Sequence, residues 1–249
     1  PVIAVVIPCY RETDSILDVI AGIGEEVSRI IVVDDACPDG SGDLVRRSCA
    51  DPRVEVIIQD RNTGVGGAVM NGYAEAIDAG ADIIVKVDGD GQMDPAVISR
   101  LVAPIAIGQT DYAKGNRFHD LDGLRQMPWL RLIGNLALSF ASKVSSGYWN
   151  IFDPTNGFTA IHAKIAERLL GSDVNHGYFF ESDMLFHLGL LRAVVRDIPM
   201  QAHYGNETSG IQIPTIVPEF MLKHYVNTYR RIFITYFLRE TNVATLQLI

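Results

Sequence analysis

The stretch Val85-Lys86-Val87-Asp88-Gly89-Asp90-Gly91-Gln92-Met93-Asp94-Pro95, VKVDGDGQMDP, carries an apolar run straight into two carboxylates one residue apart, set among glycines. Like charges this close repel, and glycine loses more conformational freedom on ordering than any other residue. Three chemistries fit such a turn. It can clamp a hard cation through Asp88, Asp90 and the neutral oxygen of Gln92, because Mg2+ and Mn2+ favour oxygen ligands and leave places for water and substrate phosphates. It can be a phosphoryl-transfer nucleophile of the D-x-D-G-T kind, although Gln92 stands where that pattern needs Thr. It can be a plain acidic turn, since Asp and Gly both favour turns. Position in the fold decides among them.

Working outward, Asp82–Asp88 is the fourth of four short runs rich in β-branched residues, after Val2–Pro8, Arg29–Asp35 and Arg53–Gln59. Helical spacing follows each run, at Ser15–Val27, Ser41–Ser48, Gly67–Ala79 and Pro95–Ile107. The last begins on Pro, which the first turn of a helix tolerates. Near-continuous apolar strands alternating with helices predict a parallel sheet covered on both faces. Functional groups in such sheets gather beyond the carboxyl ends of the strands. Those ends carry Pro8, Tyr10 and Glu12, then Asp34 and Asp35, then Asp60 to Asn62, then Asp88 to Asp90, so four polar clusters face one crevice.

Beyond residue 110 the alternation loosens. Strands are predicted at Tyr112–Asn116, Gly157–Ile161 and Val194–Ile198, and helices at Trp129–Val144 and Asp183–Leu191. The expected architecture is α/β: a Rossmann-like, mostly parallel sheet flanked by helices. One catalytic domain spans 1–216, with a nucleotide-binding half at 1–110 and an acceptor half at 111–216. An amphipathic segment follows at 217–249. There Met221, Tyr225, Tyr229, Ile232, Phe233, Tyr236 and Phe237 recur at helical spacing, with Lys223, Arg230, Arg231 and Arg239 between them. That pattern reads as a helix on a membrane surface or as one packed on the domain or a partner.

The bulk properties agree with an ordinary globular chain: 249 residues, 48% hydrophobic and 20% charged. A net charge of −9 excludes wholesale nucleic-acid binding. Cys9, Cys37 and Cys49 are odd in number and scattered, which indicates a reducing compartment. A first residue of Pro rather than Met reads as an excised or renumbered piece. No run of about 18 apolar residues reads as membrane-spanning. Arg61-Asn62-Thr63-Gly64-Val65-Gly66-Gly67-Ala68 is a glycine-rich strand-to-helix turn, in which Gly66 lets backbone approach phosphate or sugar, or simply makes the turn tight. It is not a P-loop, lacking Gly-Lys-Ser/Thr, and it lacks full dinucleotide spacing. His176, His187 and His203 show no tight metal spacing.

Taken together these motifs resemble the family 2 glycosyltransferases of the GT-A fold. VVIPCYRE (Val5–Glu12), IIVVDDACPDGS (Ile30–Ser41), RNTGVGGAVMNG (Arg61–Gly72) and VDGDGQMDP (Val87–Pro95) match in order. GNRF (Gly115–Phe118), DPTNGFTAI (Asp153–Ile161) and HYGNETSGI (His203–Ile211) resemble the branch that glycosylates dolichol and undecaprenyl phosphates. The chain departs from the family pattern at Arg11, Asn116 and Asn206. The resemblance implies that Asp88, Asp90 and Gln92 hold Mg2+ or Mn2+ against a nucleotide-sugar diphosphate. It implies a nucleoside pocket of Pro8, Tyr10, Glu12, Asp35 and Asp60, and acceptor-phosphate arginines at Arg117 and Arg131. The partners implied are GDP-mannose or UDP-glucose, a polyprenol phosphate and a membrane surface, at its cytoplasmic face.

The reaction so implied moves a hexose, with inversion, onto a phosphate monoester. The second pKa of such a phosphate is about 6, so it is largely ionised at neutral pH and a strong base is not required. Guanidinium matches phosphate bidentately, so positioning matters more. Asp153 then serves as a base or as an orienter, and Glu181, in FFESDML, is the alternative base. Two other functions stay open. One is transfer to a sugar or polysaccharide hydroxyl, which needs a true base. The other is a non-catalytic nucleotide-sugar-binding domain recruited to membranes.

Overall fold

A computed structural model describes residues 1–119, 129–200 and 213–239. Its centre is a seven-stranded sheet in the order β3-β2-β1-β4-β6-β5-β7. The strands are β1 (Ile3–Cys9), β2 (Arg29–Asp34), β3 (Val54–Ile58), β4 (Ile83–Lys86), β5 (Tyr112–Asn116), β6 (Thr159–His162) and β7 (Val195–Pro199). The helices are α1 (Ile16–Ala21), α2 (Ser41–Ser48), α3 (Val65–Asp78), α4 (Ile98–Ala106), α5 (Trp129–Ser146), α6 (Ala163–Leu170), α7 (Phe180–Leu191) and α8 (Ile213–Phe233).

Alternation along the buried strands sorts their side chains to two faces. Val5, Ile7, Val32 and Val85 pack with Ile16, Val19 and Leu101 of α1 and α4. Ala4, Val6, Ile31 and Val33 pack with Val69 and Tyr73 of α3 and with Met184 and Leu188 of α7. Each such aliphatic side chain contributes roughly 1.5–3 kcal/mol on full burial. These two layers fix the sheet, so the carboxyl ends of β1 to β4 lie along one edge.

Several element boundaries differ from the sequence expectation. Helix α1 stops at Ala21, because Gly22 caps it and Gly24 follows. Pro95–Val97 forms a 3-10 turn before α4 rather than its first turn, with Asp94 accepting from the Ala96 N–H. Helix α6 has no counterpart in the sequence reading. Strand β6, whose direction the sequence left open, runs antiparallel to both β4 and β5 within the mostly parallel sheet. Its first residue, Thr159, pairs with Lys86 and with Lys114. The reversal brings the preceding loop, Asp153 to Gly157, to the carboxyl ends of β4 and β5.

Helix α8 docks by one face. Asn227 Nδ2 donates to buried Asp183 Oδ1 at 2.6 Å, Ser145 Oγ lies 2.8 Å from His224 Nδ1, and the Phe220 and Phe179 rings meet edge-on. Burial pushes the His224 imidazole down to about 4. The opposite face leaves Met221, Leu222, Tyr225, Tyr229 and Phe233 exposed. No described helix is long and apolar enough to cross a membrane. His203, Asn206 and the HYGNETSGI stretch lie outside the described residues.

Candidate active site

The site grows from the end of β4. Asp88 follows that strand by two residues, so its carboxylate shares a face with the Lys86 side chain. Lys86 Nζ lies 2.6 Å from Asp88 Oδ1. Asp90 Oδ1 accepts the Gln92 N–H at 3.0 Å, and the turn between them needs Gly91, whose φ is +77°. Ser15 Oγ donates to the Gly89 carbonyl at 2.7 Å, and the Glu12 N–H donates to Ser41 Oγ at 3.0 Å. The ends of β1, β2 and β4 are thereby tied into one rim. A Cβ at Gly89 would press on Glu12 and Ile16, so glycine allows this close approach.

The donor set at this rim is two carboxylates and an amide, all hard oxygen ligands, which fits Mg2+ or Mn2+. Among the described residues no three or more His, Cys, Asp or Glu side chains form an all-protein metal cage. A cation held by Asp88, Asp90 and Gln92 would need its remaining ligands from water and phosphate, as small hard cations commonly do.

The loop before β6 supplies the second half. Asp153 is fully buried and grips Arg117, at the end of β5, through both oxygens: Nε to Oδ2 at 2.7 Å and Nη2 to Oδ1 at 2.9 Å. The Arg117 N–H adds a third bond to Oδ2 at 3.2 Å. The Arg117 side chain keeps 32% of its surface exposed. Both oxygens of Asp153 are committed to this pair.

Glu181, in the first turn of α7, stands between two buried lysines: Lys86 Nζ at 2.8 Å from Oε1 and Lys114 Nζ at 3.4 Å from Oε2. Burial opposes the charge on Lys86, but Asp88 and Glu181 outweigh it and hold the ammonium above its ordinary value. For Lys114 burial wins, and its value falls. Glu181, on α7, is thus the counter-ion of both lysines, with Oε1 in an ion pair but without a hydrogen bond.

The remaining predicted residues divide. Asp35 accepts from Thr63 N at 2.7 Å, Thr63 Oγ1 at 3.1 Å and Gly64 N at 2.8 Å, so its buried carboxylate braces the glycine-rich turn. Gly66, expected either to admit phosphate or sugar or simply to make the turn tight, packs against the 175–177 loop. Its N–H is donated to the His176 carbonyl at 2.8 Å, and a Cβ would strike Asn175 O and Phe180. The glycine is required by the neighbouring loop. Pro8 is buried in the β1–β2 ladder opposite Val33. Tyr10 and Asp60 are exposed at the ends of β1 and β3. Arg131 falls in the first turn of α5, and its side chain is outside what is described.

Sequence reasoning passed over Lys86, Lys114 and Asp197. The signal for the lysines was a charge inside an otherwise apolar strand, in IIVK and YAKGN. Asp197, on β7, accepts from Asn116 Nδ2 at 3.0 Å and from the Phe152 N–H at 2.9 Å, bracing Arg117 and Asp153 from behind. Burial pushes its carboxyl up to about 6.

Residues 4–170 match the model of glycosyl transferase family 2, and the chain belongs to that family. It is a glycosyltransferase. The undecaprenyl-phosphate mannosyltransferase of Micrococcus luteus is 30% identical over 199 residues, 78% of this chain and 81% of that protein. The UDP-N-acetylglucosamine–dolichyl-phosphate N-acetylglucosaminyltransferase of Methanococcus voltae is 30% identical over 186 residues, 69% of this chain and 73% of that protein. The fold is shared with glucosyl-3-phosphoglycerate synthase from Mycobacterium tuberculosis, crystallised with Mn2+, UDP and phosphoglyceric acid. That match has a TM-score of 0.71 at 17% identity, over 91% of this chain and 78% of that one. The GT-A architecture expected from the motifs is the observed one.

Proposed function

We propose that this protein transfers a hexose, mannose or glucose, from a nucleotide-diphosphate sugar to a polyprenol phosphate with inversion, in the presence of Mg2+ or Mn2+. The observation that carries the reading is the Arg117–Asp153 pair at the end of β5, near the Asp88–Asp90 rim. A guanidinium held bidentately by a buried carboxylate is pre-oriented, and its exposed part suits a phosphate oxygen. The two relatives described above are named for different sugars but both for a lipid phosphate, which supports the acceptor class more strongly than the donor.

In this reading Asp88, Asp90 and Gln92 would hold the cation, which when bound would supply charge neutralisation for the leaving nucleoside diphosphate. Glu12, Tyr10 and Asp60 edge the nucleoside side of the rim, while Asp35 keeps the glycine-rich turn in place. Arg117 aims a phosphate oxygen of the acceptor at the anomeric carbon. That oxygen forms the new glycosidic bond as the bond to the diphosphate oxygen breaks, and an ionised phosphate has no proton to surrender. Asp153 and Glu181 need not accept one. The exposed apolar face of α8, with Phe152 and Trp149 beside the Asp153 loop, suits a lipid surface from which such an acceptor would come.

The test is a binding and transfer panel: GDP-mannose and UDP-glucose, each with Mn2+ or with EDTA, then transfer to a polyprenol phosphate or to a free sugar. One donor binding only with metal and transferring only to the lipid phosphate is the expected result. Donor binding unaffected by EDTA, or transfer to a sugar hydroxyl, would refute it.

A further inference from the structure

Two buried lysines stand behind the acid pair. Lys86 of β4 and Lys114 of β5 are both in register with Thr159 of the strand between them, so their ammonium groups reach the same side of the sheet. Their side chains are 2% and 0% exposed. Lys86 Nζ touches Asp88 Oδ1 at 2.6 Å, Glu181 Oε1 at 2.8 Å and the Gly157 carbonyl at 3.3 Å. Lys114 Nζ faces Glu181 Oε2 and donates to the Asn156 carbonyl. Two positive charges balance two negative ones. Desolvating each ion costs several kcal/mol, and an apolar replacement for such a network is often as stable, so stability alone is a weak reason for it. What the network supplies is position. It fixes one oxygen of Asp88, and it holds two successive carbonyls of the loop whose Asp153 grips Arg117. A Cβ at Gly157 would displace both the Asp88 carboxylate and the Lys86 ammonium, so glycine there leaves room for the two groups to meet.

We propose that Lys86 is a positioning residue of the donor site, pinning Asp88 for the cation and nucleoside diphosphate and tying that carboxylate, through Glu181 and Lys114, to the acceptor-side loop. The inference rests on the metal–diphosphate role proposed above for Asp88. Its test uses Lys86→Met, which leaves Asp88 and Glu181 facing each other, and Lys86→Met with Glu181→Gln, which removes one charge of each sign and keeps the network neutral. Mn2+ is titrated calorimetrically into each protein with UDP or GDP present, and melting temperatures are taken alongside. The double variant is expected to melt close to wild type yet to bind Mn2+ with nucleotide at least about tenfold more weakly, the scale on which partners of metal ligands act. Wild-type affinity in the double variant would overturn the proposal. So would loss of its fold, which would make Lys86 a structural ion only. If the wild-type protein itself shows no Mn2+-dependent nucleotide binding, it is the underlying donor-site reading that fails.

Discussion

Replacing Asp153 by Asn keeps the shape of the buried pair and removes its charge. The amide presents one oxygen and one NH2 to Arg117, so at least one of the 2.7 Å and 2.9 Å bonds becomes a donor facing a donor. A hydrogen bond to a charged group contributes about 1.5–3 kcal/mol net. Arg117 keeps 32% of its side chain exposed and is rehydrated when released, which limits the loss. A destabilisation of about 2–3 kcal/mol follows, or roughly 5–10 °C in melting temperature for a chain this long. The kinetic signature separates the two roles. With Asp153 as orienter, the guanidinium loses its aim, the acceptor KM rises, and the shape of the pH–rate profile is retained. With Asp153 as general base, kcat falls by about 10²–10⁴ at unchanged acceptor KM, and the acid limb of the profile disappears. Steady-state transfer to a polyprenol phosphate from pH 5 to 9, with thermal unfolding alongside, reads both. An Asp153→Asn protein with wild-type melting temperature and wild-type acceptor KM would refute the reasoning.

Three further outcomes are expected. Gly66→Ala should cost about 1–3 kcal/mol by overpacking against Asn175 O and Phe180, read in urea unfolding, and a neutral result would show that the 175–177 loop yields. Asp197 has its carboxyl raised to about 6 from 3.8, so its neutral form suits the fold and wild-type stability drops as pH rises through that range. Asp197→Asn should therefore be the more stable protein at pH 8, by at most about 3 kcal/mol, with the gap closing below 3.8; a pH-independent difference would argue against a buried charge. Replacing Leu222 and Tyr225 by Ser on the exposed face of α8 should leave melting unchanged and weaken sedimentation with anionic vesicles; unchanged sedimentation would remove that face from membrane contact.

The four amino-terminal strands were legible because each is a β-branched run, with β1, β2 and β4 buried on both faces and β3 at the sheet edge, and the rim was legible because parallel strands put their ends together. Neither property holds in the second half. Thr159–His162 is four residues long, and nothing local distinguishes a parallel from an antiparallel partner for it. The direction of β6 is set by where β4 and β5 already stand. Arg117 and Asp153 were both visible as candidates, but their pairing joins residues 36 apart and exists only once β6 has turned back. The contact of Gly66 with the 175–177 loop was not legible for a related reason: a glycine that admits a ligand and one that admits a neighbouring loop look alike until the loop is seen. Lys86 was hidden by the brightness of the acids beside it, since a lysine in IIVK reads as noise in an apolar run rather than as their counter-charge.

That lysine has a consequence for how the chain is made. Strand β4 lies in the first half of the sequence, yet the groups that make its buried ammonium tolerable include Gly157, 71 residues downstream, and Glu181 beyond it. As the chain leaves the ribosome, β1 to β4 emerge with the Lys86 charge unanswered by Glu181. A ribosome stalled near residue 110 is expected to expose an incompletely closed sheet around Lys86, and a stalled chain as well protected there as the full protein would refute this.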